Sequence, residues 1–142
     1  MKKASWIVLA VAAAAFILIS LVSAVHAYNK SDDYGIGGIR VSKIAADREA
    51  VATALRGIRG TSAAFATAWG VFYLAIVVVP YRRGDVWAWW ALFAGSVTVL
   101  AIALLRIPFL NTTLGTSAAV SQFGLTIVGL LLDVRRLKGK PA

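Results

Sequence analysis

The sequence predicts an all-α integral membrane protein, an up-and-down bundle of four transmembrane helices with an extra-cytoplasmic amphipathic helix. Of its 142 residues, 60% are hydrophobic, whereas a soluble domain has about 45 to 50%. Its 15 basic and 6 acidic residues all lie outside four long apolar stretches. A charge at the bilayer centre costs about 2.5 to 3.5 kcal/mol, so this exclusion is typical of helices embedded in lipid.

The apolar stretches predict four spans within a single membrane domain, residues 1–142: about 5–27, 61–80, 87–105 and 117–132. The first follows Lys2 and Lys3 and has features of a signal peptide. Its apolar run is longer than the roughly 7 to 15 residues of a secretory core, however. We therefore expect an uncleaved first span.

The 29–59 segment, between the first two spans, is polar and glycine-rich at its start, which predicts a loop with one short extended piece. Ser42 is then expected to cap a helix. Apolar residues recur after it at helical spacing, which predicts an amphipathic helix as far as Gly60: Ile44, Val51, Leu55 and Ile58. Glycines at its end allow either a bend or one long helix into the second span.

Pro80 is expected to end the second span, and the short connection after it makes the third helix antiparallel. Aromatic rings at the start of the third span belong at the headgroup level: Trp87, Trp89 and Trp90. Pro108, Asn111 and Gly115 predict an interfacial loop between the third and fourth spans.

Orientation is predicted from Lys and Arg, which are in excess in cytoplasmic loops. Cytoplasmic termini place eight of the 15 basic residues inside. These eight lie close to span ends, whereas several of the outside residues lie in a long loop, where the rule loses force. The alanine-rich composition indicates a bacterial inner membrane.

Few side chains in the spans could support chemistry. Gln122 is an amide deep in the fourth span, and we expect it to hydrogen-bond across the bundle, with substrate binding as the alternative. His26, at the outer end of the first span, is expected to be an interfacial anchor. Axial ligation of a chlorophyll-type or haem metal is its alternative. With a single His and no Cys, the chain is otherwise predicted to hold no cofactor or metal.

Arg56, Arg59 and Arg106 are all predicted to lie at the outer face. Guanidinium groups bind phosphate or carboxylate bidentately, which predicts contact with a lipid headgroup or an acidic partner. Independent snorkelling to the interface is the alternative. The predicted contact surface adds three apolar residues to these arginines: Val51, Leu55 and Ile58.

Residues 55–132, and especially the run PYRRGDVWAWWAL at 80–92, resemble the small four-helix membrane proteins of unknown function found across bacteria. The shared motif is a basic tight turn followed by interfacial tryptophans. The resemblance implies a fold and no activity.

The predicted function is non-catalytic: an accessory or scaffold subunit that contacts a larger membrane assembly or lipid. One alternative is an oligomeric transporter of small molecules or ions, although the spans lack the acid that proton-coupled exporters use. The other is a lipid-binding or lipid-modifying protein, for which no convincing nucleophile and base are present. Expected partners are membrane lipids and other subunits or copies of the chain. Nucleic acid is not expected, because the basic residues are dispersed among loops.

Overall fold

Most of the chain is helical in a computed structural model that describes residues 2–46, 48–113 and 115–138. The all-α class is thus confirmed. The helices are α1 (Lys2–Tyr28), α2 (Val41–Ala45), α3 (Glu49–Ile76), α4 (Val86–Leu104), α5 (Arg106–Leu110) and α6 (Thr116–Leu131). Other elements are a π-helical turn (Val77–Tyr81), a 3-10 helix (Val134–Lys138) and two short strands, β1 (Gly35–Ile36) and β2 (Ile39–Arg40).

Three helical stretches in the described ranges are long and apolar enough to cross a membrane: Ala4–Tyr28, Glu49–Tyr81 and Val86–Leu110. They correspond to the first three predicted spans and indicate an integral membrane protein. The fourth predicted span falls on α6, which is apolar but has 16 residues. At about 1.5 Å per residue, α6 is about 24 Å long, which is short of the roughly 30 Å hydrocarbon core.

Backbone contacts divide the chain into two compact units. We call Met1–Ala14 with Val71–Ala142 the terminal unit, and Ala15–Gly70 the central unit. Each unit has buried side chains of its own. Those of the terminal unit include Leu9, Tyr73, Val77, Tyr81, Leu92 and Leu130. Those of the central unit include Ala27, Tyr34, Val41, Ala45 and Ala63.

Glycines bring helices close together within each unit. In the terminal unit, a Cβ added to Gly129 would lie 2.5 Å from Leu9 Cδ2. In the central unit, a Cβ added to Gly70 would lie 2.6 Å from Ile17 Cγ1. There is little hydrophobic drive between apolar helices in lipid, so van der Waals contact at such close approach is what holds them together.

The sequence predicted that the second span ends at Pro80, but the helix continues beyond this residue. The helix widens into the π turn Val77–Tyr81, and helical backbone continues to Arg83 before Gly84 turns the chain with a φ of 110°. Proline lacks an N–H, and its ring clashes with the carbonyl four residues earlier, so a wider turn relieves both defects without ending the helix. The side chain of Tyr81 is fully buried within this turn.

The interfacial loop predicted after the third span contains a short helix, α5, in its first half. α4 ends at Leu104, and α5 follows after one turn residue. Pro108 lies in the first turn of α5, where a missing N–H removes no hydrogen bond within that helix. Asn111 and Gly115, with φ of 47° and 78°, then turn the chain into α6.

The predicted amphipathic helix of residues 42–60 is divided in two. α2 ends at Ala45, and the left-handed conformation of Ala46 (φ 46°, ψ 54°) separates it from α3. The sequence predicted Ser42 as the N-cap residue of this helix, but Arg40 occupies that position. α3 then continues into the second span without interruption, so the predicted alternative of one long helix is realised from Glu49 onward.

A β-hairpin occupies part of the predicted loop. β1 and β2 are antiparallel, with Ile36 opposite Ile39. Gly37 and Gly38 between them have φ of 61° and 82°. A two-residue turn with both φ values positive matches the twist of the strands, and glycine adopts it without steric cost.

Candidate functional site

Arg56 ties the 29–59 segment to α3. Its Nη1 donates to the Asn29 carbonyl at 2.6 Å, and its Nη2 donates to the carbonyls of Lys30 at 3.2 Å and Asp32 at 2.6 Å. These carbonyls lie just after α1, where backbone acceptors have no helical donor. One guanidinium therefore satisfies three acceptors of a turn that is distant in sequence.

Arg59, one helical turn further along α3, lies on the ring of Tyr34. Its Cζ is 4.1 Å from the ring centroid, and its Nε donates to Ser23 Oγ at 3.1 Å. The Cζ of Arg56 is 5.6 Å from the same centroid. A guanidinium within about 6 Å of an aromatic centroid is stabilised by roughly 0.5 to 2 kcal/mol, so both arginines are held by this one ring.

Tyr34 is only 8% exposed, and its hydroxyl oxygen is buried. That oxygen has no hydrogen-bond partner among the residues that the structure describes. An unpaired buried hydroxyl costs about 1 to 3 kcal/mol. Such groups are rare in native proteins and require an explanation.

Asp33 caps α2 from outside the helix. Its carboxylate accepts hydrogen bonds from the Ser42 N–H at 2.9 Å and the Ser42 hydroxyl at 2.7 Å. Arg40 Nη1 lies 3.8 Å from the same carboxylate. The bond from the Ser42 N–H, followed by that from its hydroxyl, lowers the pKa of Asp33 below its ordinary value. Asp33 thus satisfies the donor that an N-cap side chain would satisfy.

His26 contacts the Asp32 carboxylate through Nδ1, and its side chain is 47% exposed. The pair joins the end of α1 to the turn that Arg56 binds. No group of three or more His, Cys, Asp or Glu side chains is placed to hold a metal in the described ranges. Axial ligation by His26 therefore stays a prediction.

The predicted apolar stripe is not one exposed surface. Val51 and Leu55 are half-buried, and Ile44 lies on α2, beyond the break between the two helices. Ile58 is 66% exposed, and Ile39 of the hairpin is 53% exposed. Within the 29–59 segment, these two isoleucines are therefore the large apolar side chains most available for contact.

Arg106 belongs to the terminal unit, whereas Arg56 and Arg59 belong to the central unit. It begins α5, and its Nη1 would lie 2.9 Å from a Cβ added to Gly115. The Arg106 guanidinium therefore packs over the turn that leads into α6. The grouping of all three arginines at one face stays a prediction.

Thr126 joins the buried polar groups of the terminal unit. The Tyr73 hydroxyl is 2.9 Å from Thr126 Oγ1, and Ser96 Oγ lies at 3.4 Å. Thr126 donates its own proton to the Gln122 carbonyl at 2.9 Å, so Tyr73 donates to Thr126. The Gln122 amide makes no hydrogen bond to the described part of the chain, so the expected bond across the bundle is formed by Thr126 instead.

Ser5 forms a second junction in the terminal unit. Its hydroxyl donates to the Gly129 carbonyl at 2.6 Å and lies 2.5 Å from the Tyr81 hydroxyl. Because the Ser5 proton is directed at the carbonyl, Tyr81 donates to Ser5. These bonds join α1, the π turn and α6 through neutral groups.

Sequence reasoning missed the partners of the arginines. Tyr34 had a signal, since an aromatic residue in a polar, glycine-rich segment needs something to pack against. Ser23 had none, because it is one of several small hydroxyl residues in the apolar helices and only the packing selects it.

Comparison of the chain with models of protein families, with curated proteins and with solved structures gives no match. Function is therefore argued from the geometry of its own residues.

Proposed function

We propose that this chain is a non-catalytic accessory or scaffold subunit of a membrane assembly, and that the 29–59 segment is its docking element. The observation that carries the proposal is the folding of this segment: Arg56 binds three carbonyls of its turn, and Asp33 caps α2. A preorganised surface loses less conformational entropy on binding than a flexible loop. A passive linker between two spans needs no such bonds.

The exposed side chains of the segment support a protein partner with an apolar pocket and acidic groups. Ile39 and Ile58 supply exposed apolar surface. Arg40, Lys43 and Arg48 are exposed basic residues of the same segment. Charges of this kind steer association and select an acidic partner, while burial of the isoleucines supplies affinity.

Substitution of the two isoleucines tests the docking element. A fully buried aliphatic side chain contributes about 1.5 to 3 kcal/mol, so we expect the I39S/I58S variant to lose its partner on native purification. The I39L/I58L variant is the matched control and should keep it. Both should stay in the membrane after an alkaline carbonate wash, and a partner that co-purifies equally with both would rule out docking through these residues.

We further propose that α6 is a fourth span and that both termini lie in the cytoplasm, in a bacterial inner membrane. The apolar character of α6 and the basic residues after it support this topology: Arg135, Arg136, Lys138 and Lys140. The shortness of α6 costs fractions of a kcal/mol per Å of mismatch, which local thinning of the bilayer accommodates.

Single cysteines test the topology, since the chain has none of its own. In intact cells, an impermeant thiol reagent should label a cysteine at Ser31 and should not label one at Asp85 or Gly139. Labelling at both Ser31 and Gly139 would leave three spans. Labelling at Asp85 would reverse the orientation.

A further inference from the structure

We propose that Tyr34 and Arg59 form a binding site for a phosphate group, and that Arg56 is its positioning residue. The site lies wholly within the central unit, and it is independent of any protein partner. Three features carry it: an unpaired buried hydroxyl, a guanidinium with unused donors, and a location near the end of a membrane-spanning helix.

The unused groups at the site call for an anionic acceptor. Arg59 bonds Ser23 through Nε, and its two terminal nitrogens have no hydrogen-bond partner within the described ranges. The Tyr34 hydroxyl has none either. A guanidinium can only donate, so a ligand shared by the two side chains must accept. Phosphate oxygens accept several bonds at once and match the fork of a guanidinium.

The geometry places both donors on one ring. Arg59 Cζ lies 4.1 Å from the Tyr34 centroid, so the guanidinium lies over the ring that carries the hydroxyl. The hydroxyl oxygen is covered by protein atoms, so ligand binding requires a side-chain adjustment there. Such an adjustment exchanges an unpaired hydroxyl for a charge-assisted hydrogen bond.

Arg56 does not offer its fork to a ligand. Both of its terminal nitrogens donate to backbone carbonyls, at 2.6 to 3.2 Å. It still contributes a positive charge, 5.6 Å from the Tyr34 centroid. The nearby carboxylates are already engaged: Asp32 with His26, and Asp33 with Ser42. The ionised Asp33 carboxylate offsets part of the Arg56 charge, so the guanidinium of Arg59 is the main attraction for an anion.

The position of the site along the membrane-spanning helix favours a lipid headgroup as the source of the phosphate. The stretch Ala4–Tyr28 has 25 residues and is about 37 Å long, which exceeds the roughly 30 Å hydrocarbon core. The ends of this helix therefore reach the headgroup layer. Ser23, which Arg59 bonds, lies about 7.5 Å from the Tyr28 end at 1.5 Å per residue.

Native mass spectrometry of the full chain, released from micelles of a phosphate-free maltoside detergent that contain phosphatidylglycerol, counts the lipid molecules that stay bound. We expect the wild type to retain phosphatidylglycerol, and the Arg59→Gln and Tyr34→Phe variants to bind it about tenfold more weakly, the effect of losing a hydrogen bond to a charged group. The matched controls Arg83→Gln and Tyr28→Phe alter exposed residues and should behave as wild type.

Thermal unfolding separates ligand binding from a structural role. In a phosphate-free maltoside detergent, Tyr34→Phe should raise Tm, because it removes an unpaired buried hydroxyl. With phosphatidylglycerol, the wild type should gain Tm and Tyr34→Phe should lose most of that gain. A purely structural hydroxyl gives the same change of Tm with and without phosphatidylglycerol, and this outcome overturns the proposal.

Inorganic phosphate distinguishes the two sources of the ligand. If it displaces phosphatidylglycerol and raises the Tm of the wild type but not of Arg59→Gln, the site takes soluble phosphate. If it does neither while lipid retention depends on Arg59 and Tyr34, the ligand is a lipid headgroup. Equal lipid retention by the wild type, both variants and both controls refutes the site.

Discussion

The bonds between the apolar helices of the terminal unit and the bonds within the 29–59 segment of the central unit use different chemistry. In the terminal unit the bonds join neutral groups, Tyr81 to Ser5 and Tyr73 to Thr126. In the central unit the strongest bonds come from the guanidinium of Arg56. A neutral hydroxyl can be removed from water at moderate cost, whereas a charge cannot, so the bonds between the apolar helices join neutral groups.

The difference also sets the expected energies. Hydrogen bonds to charged groups contribute about 1.5 to 3 kcal/mol, whereas those between membrane helices average about 0.6 kcal/mol and reach about 1.7. Substitutions in the 29–59 segment should therefore have larger effects than removal of a hydroxyl in the terminal unit.

The largest effect is expected for Arg56→Gln, which removes a donor from three backbone carbonyls, of which that of Asn29 keeps the Asp32 N–H. We expect a loss of about 3 kcal/mol, less than the sum for separate bonds because the contacts are partly exposed to solvent. Hydrogen exchange of the amides of residues 29–46 measures it. Arg48→Gln, at an exposed position of the same segment, is the control. Unchanged protection in Arg56→Gln would show that the turn is held by other contacts.

Gly129→Val tests close packing in the terminal unit. The new Cβ would lie 2.5 Å from a Leu9 methyl carbon, so we expect destabilisation of about 1 to 3 kcal/mol. A lowered Tm in detergent is the measurement. Gly124→Val is the matched control on the same helix, because a Cβ there meets nothing within 4 Å. Equal Tm values for the two variants would contradict the observed packing.

Thr126→Val tests the neutral junction. It preserves side-chain shape but leaves the Tyr73 hydroxyl without its Thr126 partner, so we expect a loss of about 0.6 to 1.7 kcal/mol. Thr98→Val is the control, since Thr98 bonds only the Ala94 carbonyl of its own helix. Chemical unfolding in mixed micelles compares the two. A loss larger than that of Arg56→Gln would reverse the ranking of charged and neutral bonds.

The smallest effect at neutral pH concerns the cap of α2. The pKa of Asp33 is lower in the folded chain than in the unfolded chain. The stability that its ionised carboxylate adds to the fold is therefore fully present above the unfolded pKa of about 3.9, and it is lost as the pH falls through the lower folded pKa. Proteolysis of the 29–46 region should therefore accelerate only at acid pH, and Asp33→Asn should remove this pH dependence. Asp85→Asn should not, since Asp85 occupies the N-cap of α4 without a side-chain bond.

The exclusion of charge located the apolar helices well. The apolar stretches predicted at 87–105 and 117–132 agree within one residue with the helices α4 (Val86–Leu104) and α6 (Thr116–Leu131). A charged side chain is costly in the hydrocarbon, so a long stretch without charges can be recognised directly from the sequence. A helix was also predicted before the second span, and its continuation into that span was one of two alternatives. α3 realises this alternative from Glu49 onward, whereas the break at Ala46 was not predicted.

The site around Tyr34 could not be predicted in the same way. Arg56 was recognised as an anion-binding type of side chain, but its acceptors are carbonyls more than 20 positions away, which no local pattern reveals. The break at Ala46 has a similar origin. A left-handed alanine costs about 1 to 2 kcal/mol, and contacts on both sides of it must offset that cost.

The π turn at Val77–Tyr81 has a consequence for the comparison of sequences. Such a turn is equivalent to one extra residue in an α-helix, and one residue corresponds to about 100° of rotation. A homologue without proline at this position could form the same helix with one residue fewer and still direct an equivalent of Tyr81 inward. A correct alignment would then require a single-residue gap inside an apolar helix, where gaps are ordinarily disallowed.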